Sequence, residues 1–307
     1  SNCVLTFTNY KYWRIILNHP DYNSPAELKS TLEQNGFSMQ KKFGQNFMIN
    51  QSAREKIISL LELKKDELVW EIGPGLGCMT ELILLSGANL EVFEIDRGFI
   101  SILKQFFCQQ EKAGKFKIVE GDVLKNWKKS FAENPQKPSK LFGNLPYNIA
   151  ATFIADTITE NVVFEKCVFT VQKEVAQRMA AKKGTENYSA FSVLCQWGYN
   201  VKLDLVLGSS SFWPRPTVSS QAVVMTKKEK PFSGNSALFV KTVHALFAAR
   251  RKTIQNNIKP LLPENISAED FFKKCGISKS ERAENLAVED FIKISDMLSQ
   301  PKQSDKM

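Results

Sequence analysis

The chain has 307 residues, of which 43% are hydrophobic and 24% charged, with a net charge of +9 and a pI of about 9.1. That length and apolar share support a large core, suit one large domain with a small one, and exclude a wholly disordered chain. The basic excess favours a polyanionic partner, nucleic acid or an anionic membrane surface.

The first two dozen residues lack clear periodicity and read as an extension. They carry no cationic head followed by a clean apolar stretch, so no signal peptide is expected. SPAELKSTLEQNGF predicts a helix: Ser24 can cap it, Pro25 fits its first turn and Gly36 can end it. SMQKKFGQNFMIN is basic and loop-like, and residues 52–62 form a second amphipathic helix candidate. From there strands and helices alternate. LVWEI (68–72) is a short buried-strand pattern, followed by a glycine-rich turn and a helix from about Cys78. LEVFEI (90–95) precedes a helix near Gly98 to Gln109, and FKIVEGD (116–122) is a third strand. KLFGN (140–144) leads into a helix in NIAATFIADTIT, and FEKCVFTVQ (164–172) is a fifth strand. YNVKLDLVL and SQAVVMTKK suggest an antiparallel addition at one edge.

Alternating βα units predict an α/β fold, a doubly wound, Rossmann-like sheet with ligand sites at the carboxyl ends of its strands. EKPFSGNS reads as a linker. Residues 235–299 look helical, with apolar positions at helical spacing in ALFVKTVHALF and VEDFIKISDML. The expected organisation is an extension and helix over 1–37, a Rossmann-like domain over 38–230, an all-helical domain over 231–299 and a tail over 300–307.

EIGPGLG follows the first strand of the alternation, where glycines permit a tight turn and close backbone approach to a ligand. Glu94 ends the next strand, about twenty residues past the loop, where the dinucleotide fingerprint places its ribose-binding acid. Asp122 ends the third, where its carboxylate can accept from an adenine amino group; helix capping is its competing role. NAD and S-adenosylmethionine both use such an arrangement. The spacing Gly73-Pro74-Gly75-Leu76-Gly77 puts Cys78 where a dehydrogenase places its third glycine. Together with Glu71 before the loop, it favours S-adenosylmethionine.

FGNLPYNIA follows the fourth strand. An exocyclic adenine amine is a poor nucleophile because its lone pair is delocalised into the ring. Acceptors that draw its two hydrogens out of plane help it attack. Asn144 offers a side-chain carbonyl and Leu145 a backbone carbonyl, Pro146 restricts the residue before it, and Tyr147 offers a ring for stacking. Asn and Pro also make ordinary turns. Placement after a strand of the same sheet as the glycine loop favours the site. The set needs no metal and no histidine. The chain's two histidines, His19 and His244, are far apart, and its six cysteines (Cys3, Cys78, Cys108, Cys167, Cys195, Cys275) form no CxxC pair. Neither a zinc site nor a disulfide framework is expected. Reduced thiols in a cytoplasmic protein fit best, and no apolar run approaches the roughly 18 residues that span a membrane.

In order along the chain stand KKFGQNFMIN, EIGPGLG, FEID, GDVL, FGNLPYNI, VQKEVAQRM, SFWPRPTV, RRKTIQNNI and RAENL. From about Ser24 to Leu298 the chain resembles the ribosomal small-subunit RNA adenine dimethyltransferases, the bacterial KsgA family. The resemblance implies S-adenosylmethionine as donor and two methyl groups on N6 of each of two adjacent adenosines near the 3′ end of 16S rRNA. The partner implied is the 30S subunit or its precursor, bound by a monomer, with a role in 30S biogenesis and no membrane. By matching motifs, Asn46, Met48, Gly73, Gly75, Glu94 and Asp122 contact the cofactor, and Asn144 lies between cofactor and target. Leu145, Pro146 and Tyr147 complete the target site. Phe212 is the second aromatic that sandwiches the flipped base, with a core aromatic as the alternative. Leu is more usual where Met48 stands, a volume-conserving swap. Trp213 is an unusual neighbour for Phe212, which leaves open which of the two stacks.

The RNA is held mainly through phosphates. Candidates are Lys41, Lys42, Lys173, Arg178, Arg250, Arg251, Lys252 and Lys259. The RRKTIQNN cluster stands out as three cations at a predicted helix start, opposing the helix dipole. The related enzymes that methylate one adenine of 23S rRNA are the nearest alternative, and FGNLPYNI, RRKTIQNN and RAENL favour the first reading. A non-enzymatic assembly or transcription factor is disfavoured by the intact Gly73, Glu94, Asp122 and NLPY. An NAD-dependent oxidoreductase is disfavoured by the loop.

Overall fold

The computed structural model describes residues 19–36, 46–229, 234–263 and 266–299. Lys41 and Lys42 lie outside them. The described strands are β1 (Phe47–Met48), β2 (Leu68–Ile72), β3 (Asn89–Glu94), β4 (Phe116–Glu120), β5 (Lys140–Asn144), β6 (Lys166–Gln172), β7 (Tyr199–Leu207), β8 (Phe212–Trp213) and β9 (Ser220–Lys227). β1 pairs antiparallel with β8, and the other seven form one sheet in the order β4-β3-β2-β5-β6-β9-β7. The pairs β2–β3, β3–β4, β2–β5 and β5–β6 are parallel. β2 is buried at every position, as a strand covered on both faces should be.

From β2 the chain steps outward through β3 to β4, then returns to the other side of β2 at β5 and continues to β6. The winding reverses between β2 and β5, and ligands of such sheets bind outside the carboxyl ends of the strands at that reversal. Ile72 pairs with Gly143 at that end. The glycine loop after β2 and Asn144 at the end of β5 therefore leave the sheet side by side.

Short polar caps define the helices. Ser24 caps helix Pro25–Gln34 by accepting from the Glu27 N–H, and Asn50 caps helix Gln51–Ser59 at Ala53. Asp96 caps helix Arg97–Phe106 through Gly98 and Phe99. Two predicted helices differ from the sequence expectation. Residues 75–79 form a turn, so the helix after the loop begins at Thr80 and not Cys78. The single helix expected to run to Gln109 breaks at Phe107 (φ −109°, ψ 22°) and resumes as Cys108–Lys112.

Beneath β2–β4 lies a buried carboxylate, Glu91, 1% exposed. It accepts from Trp70 Nε1 (3.1 Å), Lys117 Nζ (2.9 Å), Asn134 Nδ2 (3.0 Å) and the Ser130 hydroxyl. Four donors, one of them a cation, offset the cost of removing the charge from water, and they tie β2, β3, β4 and helix Val123–Glu133 together.

By internal contacts the chain forms two units that interleave along the sequence. One comprises residues 1–146, 166–171 and 205–222; the other comprises 147–165, 172–204 and 223–307. Described residues beyond 229 carry helices and no strand, but helices Tyr147–Thr159, Lys173–Met179 and Ala190–Trp197 group with them. Within that second unit Tyr188 donates to the Leu286 carbonyl (2.9 Å), and Phe247 stacks on Phe291 (5.6 Å).

Candidate cofactor and target site

The loop after β2 holds Gly73, Gly75 and Gly77 at φ +69°, +57° and +88°, a region that side chains disfavour. At Gly77 a Cβ would also meet the Phe107 ring at 2.7 Å. The Gly75 N–H donates to Glu94 Oε2 (3.2 Å), while Glu94 Oε1 accepts from the N–H groups of Ile95 (2.8 Å) and Asp96 (2.9 Å). Glu94 thereby locks the loop to the end of β3. Burial raises its carboxyl above the ordinary range, against the pull of those three N–H groups. Glu71, under the same loop, is 1% exposed and accepts from Thr80 Oγ1 at 2.7 Å.

Asp122 caps helix Val123–Glu133, its Oδ1 accepting from the Leu124 N–H at 3.0 Å. The cap thus engages one carboxylate oxygen, and Oδ2 has no hydrogen bond among the described residues. Ile95, between Glu94 and the Asp96 cap, is 55% exposed. Sequence reasoning passed it over. The signal was there in FEID: an apolar residue just past the buried end of a strand has no core to enter.

Met48 is buried and pairs with Phe212, and Phe47 pairs with Trp213. Asn144 is exposed at the end of β5, and its Nδ2 donates to the Asn46 carbonyl at 3.4 Å. That long contact engages the amide nitrogen and leaves Oδ1 as an acceptor. Asn46, expected to touch the cofactor, thus also contacts Asn144. The Leu145 N–H donates to the Thr170 carbonyl (3.1 Å), one residue beyond the β5–β6 pair Asn144–Thr170. The Leu145 side chain is buried and folds back over Gly143, where a Cβ would lie 2.9 Å from Leu145 Cγ. Pro146 is exposed.

In the second unit, Tyr147 is 39% exposed, with the Arg178 guanidinium 5.2 Å above its ring and Phe191 edge-on at 5.3 Å. Phe212 is 2% exposed and offers no open face in this conformation. Its pairing with Met48 holds it in the core of the first unit, so the core alternative describes its place here. Trp213, half-buried, stacks on Phe47 at 6.3 Å.

A family model described as ribosomal RNA adenine dimethylase matches residues 36–300. The chain belongs to that family. A ribosomal RNA small subunit methyltransferase A from Treponema denticola is 49% identical over 286 residues, covering 92% of this chain and 97% of that protein. Its namesake from Borreliella burgdorferi is 41% identical over 279 residues, covering 91% and 95%. Among solved structures, a dimethyladenosine transferase from Plasmodium falciparum gives a TM-score of 0.66 at 27% identity, covering 80% of this chain and 94% of that one. The 23S rRNA methyltransferase ErmE shares the fold, with a TM-score of 0.59 at 21% identity over 83% of this chain and all (100%) of that one.

This dimethylase is a methyltransferase enzyme and its donor is S-adenosylmethionine. Its residues fit that molecule. Two buried acids, Glu71 and Glu94, stand at the loop, and the Glu94 charge adds to the burial that raises Glu71. Asp122 keeps one free acceptor for an amino group, and Ile95 offers an apolar surface for a purine.

The basic candidates fall into three settings. Lys173 is exposed at the start of helix Lys173–Met179, whereas Arg178 is spent on the Tyr147 ring. Arg250 is paired: Nη2 lies 3.3 Å from Glu284 Oε2 and donates to the Glu186 carbonyl at 3.1 Å. Arg251, Lys252 and Lys259 are exposed. The dipole reading of this cluster needs correction. Arg250–Lys252 follow the carboxyl end of the twelve-residue helix Ser236–Phe247, and the helix after them, Ile254–Asn257, is a single turn. Cations there complement the longer dipole and do not oppose it.

Proposed function

We propose that this enzyme transfers two methyl groups to N6 of each of two adjacent adenosines near the 3′ end of 16S rRNA. It acts in the cytoplasm, as a monomer, on the 30S subunit or its precursor. Among the described residues no helix is long and apolar enough to cross a membrane. The observation that carries the reading is the end of β5. Asn144 is exposed there with Oδ1 open, beside a glycine loop pinned by Glu94. The donor supplies an electrophilic methyl on a sulfonium centre.

The protein's part is to present the amine. The Asn144 Oδ1 and the Leu145 carbonyl accept the two amino hydrogens, which pulls the nitrogen out of the ring's conjugation. Tyr147 stacks the flipped base. A stacking role for Phe212 requires its side chain to leave the core, whereas Trp213 needs no such change. Ile95 and Asp122 hold the donor's adenine, and Glu94 its ribose hydroxyls.

Asn144→Ala should lower methyl transfer by about 10²-fold or more while leaving S-adenosylmethionine affinity intact. Mass spectrometry of 30S subunits from an unmethylated strain, treated with enzyme and donor, should show dimethyladenosine near the 16S 3′ end. Near-normal turnover by the variant would refute the role of Asn144. Modification of 23S rRNA in place of 16S, read by primer extension on both, would refute the substrate.

A further inference from the structure

We infer that the segment His19–Asn23 is a positioning element of the donor site, holding the glycine loop through Tyr22 and Met48 through Arg54. The segment precedes residues 36–300, which match the family model, and its sequence has no periodicity that would announce a role. Yet it is hydrogen-bonded through Tyr22 and Arg54 and packed through His19.

Tyr22 is 2% exposed, and its hydroxyl donates to the Leu76 carbonyl at 2.9 Å. Leu76 is the residue between Gly75 and Gly77, so this bond holds the stretch of loop that its own glycines leave free to turn. Arg54, 1% exposed, is the second anchor. Its Nη1 donates to the carbonyls of Tyr22 (3.1 Å) and Met48 (2.8 Å), and its Nη2 to Asn23 Oδ1 (2.9 Å). The guanidinium carbon also lies 5.8 Å from the centre of the Tyr22 ring. All three hydrogen-bond acceptors of this buried cation are neutral. Such an arrangement is a costly way to fill space and a good way to fix two backbones at once. His19 adds a packing contact, by proximity and ring stacking and without an aligned hydrogen bond at its Nε2. Its Nε2 lies 2.9 Å from Glu81 Oε1, both side chains buried, and its ring stacks on Tyr22 at 5.0 Å. Glu81 belongs to helix Thr80–Leu85, into which the loop runs. The segment therefore grips the strand before the donor site and the loop beneath it, and packs against the helix after it.

The inference rests on the donor assignment of that loop, and the test separates the two. In the full chain, Tyr22→Phe keeps the ring and removes only the bond to Leu76. Donor binding is measured by calorimetry with S-adenosylmethionine, together with kcat, both KM values and Tm. One lost hydrogen bond predicts a Kd and a donor KM raised about two- to tenfold, with kcat and the RNA KM nearly unchanged. Arg54→Lys, which keeps the charge but not the fork, should shift the same parameters further. If Tyr22→Phe does not fold, Asn23→Ala, which removes one Arg54 acceptor, is read the same way. A variant with lowered Tm and wild-type donor affinity would overturn the inference and leave the segment a packing element. Wild-type chain that failed to bind the donor would overturn the donor assignment and the inference with it.

Discussion

Burial pushes the Glu71 carboxyl up to about 8; the Thr80 hydroxyl opposes this and the Glu94 charge adds to it. The folded chain therefore keeps a proton on Glu71 at neutral pH, while the unfolded chain releases it near the ordinary value of 4.5. Between those values the folded state binds more protons, so stability falls as pH rises. Glu71→Gln cannot ionise and still accepts from Thr80. Its Tm should climb relative to wild type from pH 5 to pH 8, and a difference that stays flat would remove the buried carboxyl as the cause. Gly143 makes a steric prediction. Alanine there must displace the side chain of Leu145, whose carbonyl is one of the two proposed acceptors. Gly143→Ala should cut methyl transfer by about tenfold or more with donor affinity retained. Wild-type turnover by this variant would mean the Leu145 carbonyl is not held by that contact.

At the scale of elements, the strands were the most legible. KLFGN and YNVKLDLVL match β5 and β7 residue for residue, because turn-forming or capping residues bound each run. The helices blurred where a break has no Gly or Pro to announce it, as at Phe107. The cation cluster misled for a related reason: RRKTIQNN has the composition of a helix start, but tertiary structure leaves only one turn after it. Glu91 was invisible, since a charged residue inside LEVFEI declares itself buried only when its four donors arrive from three other elements. Glu91→Ala should cost about 2–3 kcal/mol, because the Trp70, Ser130 and Asn134 donors lose their common acceptor while the exposed Lys117 is rehydrated. Urea unfolding gives the number, and a loss below about 1 kcal/mol would show that the network is replaceable.

For the whole molecule, the net charge of +9 announces a polyanionic partner but not where it sits. The structure separates Arg250, which is engaged with Glu284 and Glu186, from the exposed Arg251 and Lys252. Arg251→Gln with Lys252→Gln should weaken 30S binding and reduce its salt slope by about 2, without loss of Tm. Arg250→Gln should lower Tm as well. Binding that is unchanged across a salt series would exclude this turn from the interface. The candidate site was legible only as types of residue at the ends of successive strands, which is a local property. The contact of Asn144 with Asn46 was not, because it joins residues 98 apart. Nor was the burial of Phe212, which follows from a two-residue strand pair too short to leave a pattern.

The two acceptors proposed for the target nitrogen differ in stiffness. The Leu145 backbone is tied to the sheet by its own N–H, which donates to Thr170, and Pro146 narrows the torsion that aims the Leu145 carbonyl. The Asn144 amide turns about its own torsions and is restrained by a single long contact. A nitrogen that already carries one methyl has one hydrogen left and needs more room. The pliable partner can swing aside to admit the methyl while the rigid one keeps its hydrogen. A pair of equally fixed acceptors would favour stopping after one transfer, and a pair built like this one permits the second.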